Sequence, residues 1–267
     1  MQIKKLLVVG GTDPSGGAGI QVDRFTAADI GVYTYSVLTA VVAQNSVEVL
    51  GIEKLSSEII SKQLRAVFSD SQPDAAKTGM FASRTGIEAV SNVFDEFKVK
   101  NLVVDPVFQS SSGTIFLGAS AISLMKIRLF GHARVVTPNI SEAERLAGFP
   151  INDLNDMKKA AKAIKMFGPE WVLIKGGHLL GDECVDFLFD GIVEYKYSGK
   201  RIDKDVRGTG CIFSTALASM LALGEDVPEA AEFAKNYVSK RIAQAVSFGK
   251  GNPQSTPSFF KSVFIKP

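Results

Sequence analysis

The chain has 267 residues, of which 46% are hydrophobic and 22% are charged, and its net charge is +2. This composition excludes an intrinsically disordered chain, and the lack of a long Lys/Arg run argues against nucleic acid as a partner. No apolar run reaches the roughly 20 residues that cross a bilayer, so we expect a cytoplasmic protein with no membrane partner. The length fits one domain over residues 1–267.

Short runs rich in Val and Ile alternate with segments of helical period along the chain. This alternation predicts an α/β fold with a mostly parallel central sheet covered by helices on both faces. The predicted strands are 5–9, 33–40, 75–78, 102–104, 134–136 and 172–174. The clearest predicted helices are 18–30, 57–68, 84–97, 156–166, 211–223 and 228–246.

The pattern changes beyond residue 183, where the runs 185–189 and 193–197 flank Asp190-Gly191. Asp-Gly suits a tight turn, so these runs predict an antiparallel hairpin at one edge of the sheet. From residue 249 onward the chain contains Gly, Pro, Ser and Thr and then three phenylalanines, Phe259, Phe260 and Phe264. This composition predicts a loose tail with apolar anchors.

A glycine-rich segment, residues 10–19, lies between the first predicted strand and helix, where open α/β sheets bind ligands. It contains G-x-x-x-x-G from Gly11 to Gly16, but Gly17 and Ala18 stand where a Walker A loop has Lys and Ser/Thr. A simple turn is the alternative. Because a simple turn does not need so many glycines, we expect the backbone to approach a ligand closely.

A second glycine-rich segment, residues 207–211, precedes a strongly apolar helix. The unpaired backbone N–H groups of Gly208, Thr209 and Gly210 would form an anion hole for a moving phosphoryl group. Cys211 would then lie beside the transferred phosphate and could take the acceptor's hydroxyl proton. The helix N-terminus favours the thiolate that a base requires. The alternative is that Cys211 is a small buried hydrophobic residue.

Three charged residues follow predicted strands at the same edge of the sheet. Asp105 and Glu142 could jointly hold Mg²⁺, largely through waters, and so bridge nucleotide phosphates. The alternatives are a turn before Pro106 and a helix-start carboxylate at Glu142. Lys175 follows the apolar run 171–174, so we expect it to be partly desolvated and to stabilise phosphate charge rather than to solvate the surface.

Several short motifs lie in order along the chain, within residues 11–21, 43–45, 77–80, 104–107, 137–142, 175–178 and 208–211. Their combination, above all D-P-S-G-G-A-G with G-T-G-C, resembles the hydroxymethylpyrimidine/phosphomethylpyrimidine kinase family over nearly the whole chain. The resemblance implies a ribokinase-like three-layer α/β/α sandwich. It also implies two ATP- and Mg²⁺-dependent steps of thiamine synthesis, in which 4-amino-5-hydroxymethyl-2-methylpyrimidine is phosphorylated to its monophosphate and then to the diphosphate. A homodimer is expected from the family alone.

The same resemblance implies roles for residues on the acceptor side. Gln44 would hydrogen-bond the aminopyrimidine edge, and Gly11 and Asp23 would lie near the ring and its hydroxymethyl group. Met80 and Val107 would supply apolar walls.

On the phosphate side, the resemblance implies that Asp105 and Glu142 organise Mg²⁺ and the nucleotide, and that Asn139 contributes to the nucleotide and phosphate site. Lys175 would neutralise developing phosphate charge. Cys211 would take the place that many ribokinase-like enzymes give to an aspartate base.

Two departures from the family pattern bear on the second phosphorylation. The family commonly has His before G-T-G-C and a lysine shortly after D-P-V, whereas this chain has Arg207 and the run 108–113. A monophosphate acceptor needs additional hydrogen-bond donors, of which Arg207 could supply one.

A pyridoxine or pyridoxal kinase, or an enzyme of dual specificity, is the nearest alternative function, although Gln44 and Met80 favour the pyrimidine. A non-catalytic ligand sensor is a further alternative, disfavoured because the charged residues and Cys211 are retained together.

Overall fold

The computed structural model describes residues 3–110, 113–177 and 183–258. Its elements in chain order are β1 (Lys5–Gly11), α1 (Gly19–Ile30), β2 (Tyr33–Gln44), β3 (Val49–Lys54), α2 (Ser57–Asp70), β4 (Ala75–Thr78), α3 (Arg84–Phe97), β5 (Leu102–Val104), α4 (Ala119–Arg128), a 3₁₀ turn (Phe130–His132), β6 (Val135–Val136), α5 (Ile140–Ala147), α6 (Leu154–Lys165), β7 (Trp171–Ile174), β8 (Glu183–Phe189), β9 (Glu194–Lys200), α7 (Thr209–Leu223) and α8 (Val227–Ala243). The predicted anchors Phe259, Phe260 and Phe264 lie outside the described residues, as does His178 of the lysine motif.

The strands form a nine-stranded sheet within the described ranges, in the order β3-β2-β1-β4-β5-β6-β7-β8-β9. Strands β2, β1, β4, β5, β6 and β7 pair in parallel, with Lys5 opposite Tyr33 and Leu6 opposite Ala75. The predicted hairpin is confirmed as β8–β9, with Asp190 Oδ1 accepting hydrogen bonds from the backbone of Ile192 and Val193 in its turn. At the opposite edge of the sheet, β3 pairs antiparallel with β2.

The helices cover both faces of the sheet, as predicted. Side chains of α2 to α6 pack in one hydrophobic cluster with Leu7 and Val9 of β1. Side chains of α1, α7 and α8 pack in another with Leu6 and Val8 of the same strand. Because successive strand residues point to opposite faces, this alternation gives a three-layer α/β/α sandwich. No helix in the described part of the chain could cross a membrane.

The six predicted helices are all present, with ends that differ by a few residues from the prediction. Two further helices, α4 and α5, and the edge strand β3 were not predicted. Strand β3 is largely exposed and lacks a buried face, so it carries no alternating pattern. Helix α5 has only eight residues and is set by its N-terminal capping interactions rather than by a long periodic stretch.

The prediction of a loose tail is wrong for residues 249–258, which we call the C-terminal strap. Val246 and Gln254 exchange two backbone hydrogen bonds of 3.0 and 2.9 Å, and the backbone N–H of Arg207 donates to Pro253 O. The Gly251 N–H donates to Ser46 Oγ at 3.0 Å. The strap is therefore tied to the β2–β3 connection and to the segment before α7.

Candidate active site

A cleft of about 540 Å³ lies at the carboxyl ends of the parallel strands. This is where open α/β sheets place their ligands. Every candidate residue from the sequence lines it, namely Gly11, Asp23, Gln44, Met80, Asp105, Val107, Asn139, Glu142, Lys175, Gly208, Thr209, Gly210 and Cys211. The cleft thus brings together residues from all the motifs that carry the family resemblance.

The two glycine-rich segments meet backbone to backbone on one wall of the cleft. Gly208 has φ +74°, and a Cβ there would lie 2.0 Å from Gly17 O. Gly19 has φ +59°, and a Cβ there would lie 2.5 Å from Gly11 O. The glycines therefore serve first to let protein backbone approach protein backbone. The approach brings the N-termini of α1 and α7, neither of which has a side-chain cap, to the same wall.

The Cys211 thiol lies in the first turn of α7, and the Gly19 backbone N–H donates to it. Burial raises the pKa of Cys211 to about 11, although the ammonium of Lys77 partly opposes this effect. The thiolate expected at this helix N-terminus is therefore disfavoured by the burial of Cys211. Desolvation is the largest effect on this thiol, the carboxylates of Asp23 and Asp105 add to it, and together they outweigh the Lys77 ammonium and the hydrogen bond from Gly19.

Lys175 and Asp105 form an ion pair in the cleft. Lys175 Nζ lies 2.9 Å from Asp105 Oδ1, and the two side chains are 13% and 2% exposed. Burial disfavours the charge on Lys175, yet Asp105 and Glu142 outweigh it, so the pKa of Lys175 is raised. A Cβ at Gly210 would lie 3.3 Å from Lys175 Nζ, which places this cation against the anion-hole loop.

The Asp105 carboxylate is held by two hydroxyl groups whose contacts with it the sequence does not predict. Thr137 Oγ1 donates to Asp105 Oδ1 at 3.2 Å, and Ser214 Oγ lies 3.2 Å from Asp105 Oδ2. Thr137 belongs to the 137–142 motif without an assigned role, and Ser214 carries no signal in the sequence. Their contacts fix the carboxylate at the end of β5.

Glu142 and Asn139 form a capping box at the start of α5. Asn139 Oδ1 accepts the Glu142 N–H at 2.9 Å, and Glu142 Oε2 accepts the Asn139 N–H at 2.8 Å. The helix-start alternative for Glu142 is thus present, yet the residue also lines the cleft. Burial raises the pKa of Glu142 to about 8, with Lys175 opposing the shift and Asp105 adding to it.

A buried ion pair that the sequence did not predict lies beneath Cys211. Lys77 Nζ is 2.9 and 3.1 Å from the two carboxylate oxygens of Asp23, and Thr215 Oγ1 donates to Asp23 Oδ1 at 2.7 Å. Burial opposes the charge on Lys77, but Asp23 outweighs it and the pKa of Lys77 is raised. A lysine inside a four-residue buried strand was the available signal, since Lys is almost never buried without a partner.

The other end of the cleft is apolar. Ala40, Val42, Met80 and Ala82 form a small hydrophobic cluster against which Val107 packs. A Cβ at residue 11 would lie 2.5 Å from the sulfur of Met80, so the glycine at this position leaves room for that side chain. This part of the cleft can hold the face of a small aromatic ring.

Gln44 lies at the end of β2 beside Arg207. Gln44 Nε2 donates to Thr12 O at 3.1 Å, and Arg207 Nη2 lies 3.3 Å from Gln44 Oε1. The guanidinium also donates to Ser15 Oγ at 2.9 Å and pairs with Asp13 at 3.4 Å. Arg207 and Asp13 are buried, so this polar group is part of the wall rather than a solvated surface.

The buried ion pair of Asp186 with Lys235 supports the loop that carries Lys175. The Gly176 N–H donates to Asp186 Oδ1 at 2.9 Å, and Lys235 Nζ lies 3.0 Å from Asp186 Oδ2. A Cβ at residue 176 would lie 1.9 Å from Val185 O, so the loop packs directly on β8. Helix α8 thereby fixes the backbone next to Lys175.

The family model described as phosphomethylpyrimidine kinase matches residues 13–255. The thiamine biosynthesis bifunctional protein of Geobacter sulfurreducens is 43% identical over 248 residues, which cover 92% of this chain and 51% of that protein. The chain therefore spans about half the length of this relative. The hydroxymethylpyrimidine/phosphomethylpyrimidine kinase of Bacillus subtilis is 37% identical, with 98% of this chain and 97% of that protein covered.

Solved structures give the same picture. The pyridoxal kinase of Bacillus subtilis, as an ADP complex, has a TM-score of 0.90 and 31% identity, with 98% of this chain and 100% of that chain covered. The phosphomethylpyrimidine kinase of Clostridium difficile has a TM-score of 0.79 and 40% identity, covering 89% and 98%. The pyridoxal kinase of Staphylococcus aureus with AMP-PCP and pyridoxal has a TM-score of 0.87 and 31% identity, covering 95% and 93%. The predicted fold class is confirmed.

Proposed function

Because the chain belongs to the phosphomethylpyrimidine kinase family and is a phosphotransferase, we propose that it phosphorylates the hydroxymethyl group of 4-amino-5-hydroxymethyl-2-methylpyrimidine with ATP, and then phosphorylates the monophosphate. One observation carries this proposal: a thiol, an anion-hole loop, a lysine–carboxylate pair and an apolar wall with one amide line a single cleft. Its volume of about 540 Å³ suits small ligands.

The phosphate side of the cleft supplies electrostatic stabilisation. In the proposal, the N–H groups of Gly208, Thr209 and Gly210 at the start of α7 bind the oxygens of the moving phosphoryl group. Lys175, which lies against this loop, neutralises the charge that develops there. Phosphoryl transfer needs little covalent chemistry from the protein, so positioning and charge account for most of the rate.

Cys211 is the proposed base. The hydroxymethyl oxygen attacks the γ-phosphorus, its proton passes to the Cys211 thiolate, and ADP leaves. The raised pKa makes this thiolate scarce but strongly basic once formed. The Lys77 ammonium is the group that most favours the thiolate, so we propose that the Asp23–Lys77 pair acts through Cys211. In this proposal Asp23 supports Cys211 rather than contacting the substrate, because its carboxylate already accepts hydrogen bonds from Lys77 and Thr215.

The donor set at the ends of β5 and β6 fits Mg²⁺, which takes one or two carboxylates together with phosphate oxygens and water. Asp105 and Glu142 would hold it, and Asn139 would keep Glu142 in place through the capping box. Mg²⁺ held there would supply positive charge that neutralises the phosphates of the nucleotide. Asp105 and Glu142 each raise the pKa of Lys175, which places two acidic groups and one cation at the same point.

On the acceptor side, Met80 and Val107 would pack on the ring and Gln44 would hydrogen-bond its edge. Gly11 would allow the ring to approach the backbone of β1. The small cluster of Met80 with Ala40 and Val42 supports the apolar part of this role.

We also propose that the protein acts in the cytoplasm, where ATP is available, and that it is a homodimer. Exposed apolar side chains on and beside the β2–β3 hairpin, Val41, Val47 and Leu50, support the dimer. Light scattering of the purified protein tests it, and a monomer at micromolar concentration contradicts it.

The proposed activity is tested by measuring ADP release with Mg²⁺-ATP and each of three acceptors: the hydroxymethylpyrimidine, its monophosphate and pyridoxal. We expect turnover of both pyrimidines at rates above that of pyridoxal. Pyridoxal is included because kinases named for it share this fold at a TM-score of 0.90. Turnover of pyridoxal alone would replace the proposal with a vitamin B6 kinase, and binding without any turnover would indicate a ligand sensor.

A further inference from the structure

The Gln44 side-chain amide lies between a group that can only donate hydrogen bonds, the guanidinium of Arg207, and a group that can only accept them, the carbonyl of Thr12. The guanidinium of Arg207 has only donors, and it lies 3.3 Å from Gln44 Oε1. The backbone carbonyl of Thr12 has only an acceptor, and it accepts from Gln44 Nε2 at 3.1 Å. A flipped amide would place N–H against N–H on one side and oxygen against oxygen on the other. The amide therefore has one favourable orientation.

Arg207 is itself fixed by groups other than the amide. Its Nη1 donates to Ser15 Oγ at 2.9 Å, and its Nη2 lies 3.4 Å from Asp13 Oδ2. Asp13 accepts from the N–H and the hydroxyl of Ser15 at 2.9 and 2.7 Å, which holds the carboxylate in turn. The backbone N–H of Arg207 donates to Pro253 O of the C-terminal strap. The guanidinium thus has a defined position before any ligand enters the cleft.

We propose that Arg207 is a specificity-determining residue that locks the Gln44 amide in one orientation. The proposal rests on the proposed function, in which Gln44 reads the edge of the substrate ring. In the locked amide, the second N–H of Nε2 and the second lone pair of Oε1 remain for the ligand, and their relative positions are fixed. It selects a ring edge with a hydrogen-bond donor beside an acceptor in the matching order, as an amino group beside an unprotonated ring nitrogen provides.

The most direct probe is an acceptor with the order reversed. The 4-oxo analogue of the hydroxymethylpyrimidine carries a carbonyl oxygen in place of the amino group and a proton on the neighbouring ring nitrogen. Its shape is nearly unchanged, but both of its hydrogen bonds to a locked Gln44 are mismatched. A site that hydrogen-bonds one group strongly rejects an isostere that leaves its polar groups without suitable partners. We therefore expect the wild-type protein to prefer the amino compound by at least about 100-fold in kcat/KM.

The lock is tested by Arg207→Lys, which keeps the positive charge beside Asp13 but loses the planar fork that reaches Ser15 and Gln44 together. We expect this variant to narrow the amino-to-oxo preference by about tenfold, because a flipped amide then sacrifices only its hydrogen bond to Thr12 O. The change is expected mainly in KM. Arg24→Lys, the same substitution at an exposed position of α1, is the matched control and keeps the wild-type preference.

A second variant covers the case in which Arg207→Lys does not fold. Ser15→Ala leaves the Arg207–Asp13 pair but removes the acceptor of Nη1 and the hydroxyl that donates to Asp13, so we expect a smaller narrowing of the preference, of about threefold, in the same direction. An amino-to-oxo preference unchanged in the folded variants overturns the lock. Equal losses with both compounds also overturn it and make Arg207 structural, and a loss confined to the monophosphate acceptor makes it a phosphate ligand instead. Failure of the wild-type protein to phosphorylate the amino compound contradicts the proposed function, and the lock with it.

Discussion

Lys77 Nζ lies 2.9 Å from Asp23 Oδ2, and both side chains are 1% exposed. The pair joins β4 to α1 directly beneath Cys211, and Thr215 of α7 completes it. A buried ion pair of this kind contributes little net stability, yet removing one partner leaves the other charge buried and uncompensated. The pair therefore couples the stability of the fold to the charge environment of the thiol.

We expect Lys77→Met to lower the free energy of unfolding by about 3–5 kcal/mol, because Asp23 loses its cation. Urea denaturation measures this change. Lys4→Met is the matched control, since the Lys4–Asp74 pair is 39% and 27% exposed and costs only about 0–1 kcal/mol to remove. The double variant Lys77→Met with Asp23→Leu should recover most of the loss. Equal effects of the two single lysine variants would contradict the buried pair.

Glu142→Gln is expected to stabilise the protein at alkaline pH. The pKa of Glu142 is raised to about 8 by burial, so the folded protein binds this proton more tightly than the unfolded chain does. Stability therefore falls as the pH rises from about 4.5 to about 8. Glutamine keeps the capping box and stays neutral, so the variant should be more stable by about 1–3 kcal/mol at pH 9, with a smaller gain at pH 5.

The measurement is the free energy of unfolding of Glu142→Gln across this pH range, with Glu170→Gln, at a side chain that is 63% exposed, as the control. The same Glu142 variant should require a roughly tenfold higher Mg²⁺ concentration for turnover, since it loses a proposed carboxylate ligand. A stability gain that is largest at acid pH would show that the carboxylate is ionised and favourable in the folded state.

Gly208→Ala should damage both the fold and activity. A Cβ at this position meets Gly17 O at 2.0 Å in addition to the left-handed backbone at φ +74°. Gly224→Ala separates the two effects, because Gly224 has φ +105° but no atom within 4 Å of an added Cβ. We expect a loss of about 1 kcal/mol for Gly224→Ala and at least about 2 kcal/mol for Gly208→Ala, with turnover reduced only by the latter. Indistinguishable variants would mean that the two loops do not pack backbone to backbone.

The thiol of Cys211 should react slowly at neutral pH. Burial raises its pKa to about 11, so the thiolate fraction at pH 8 is roughly 100-fold below that of an ordinary cysteine. Carbamidomethylation in a Cys184→Ser background, which leaves Cys211 as the only cysteine, measures this. The rate should rise about tenfold for each pH unit up to pH 10. A rate that levels off below pH 8 would indicate a thiolate stabilised by the N-terminus of α7.

The sequence predicts the cleft well because parallel strands end at one edge of the sheet. Asp105, Glu142 and Lys175 follow different strands, and each was singled out for its position after an apolar run. The chain direction alone then brings them together. Gln44 and Met80 carried no such signal, and their place in the same cleft was implied only by the family resemblance.

Interactions between distant segments were not predictable in this way. The Cys211 pKa depends on the burial of one sulfur among groups from α1, β4 and β5, and a helix-terminus rule does not include that desolvation. The composition of the strap predicts a loose tail because Gly251 and Gln254 are typical loop residues, and their contacts with Ser46 and Gly17 join segments that are distant in sequence. Lys77 was noted only as part of a motif, since its partner Asp23 is remote in sequence.

The most direct test of the proposed chemistry is single-turnover phosphoryl transfer from Mg²⁺-ATP to the hydroxymethylpyrimidine, with wild-type protein and Cys211→Ala compared at saturating acceptor. Loss of a general base is expected to slow this step by about 10²–10⁴-fold while ATP binding stays intact. Cys184→Ala, at the cysteine outside the cleft, serves as the control. A Cys211→Ala rate within threefold of the wild-type rate would contradict the assignment of the thiol as the base, and no transfer by the wild-type protein would contradict the proposed activity.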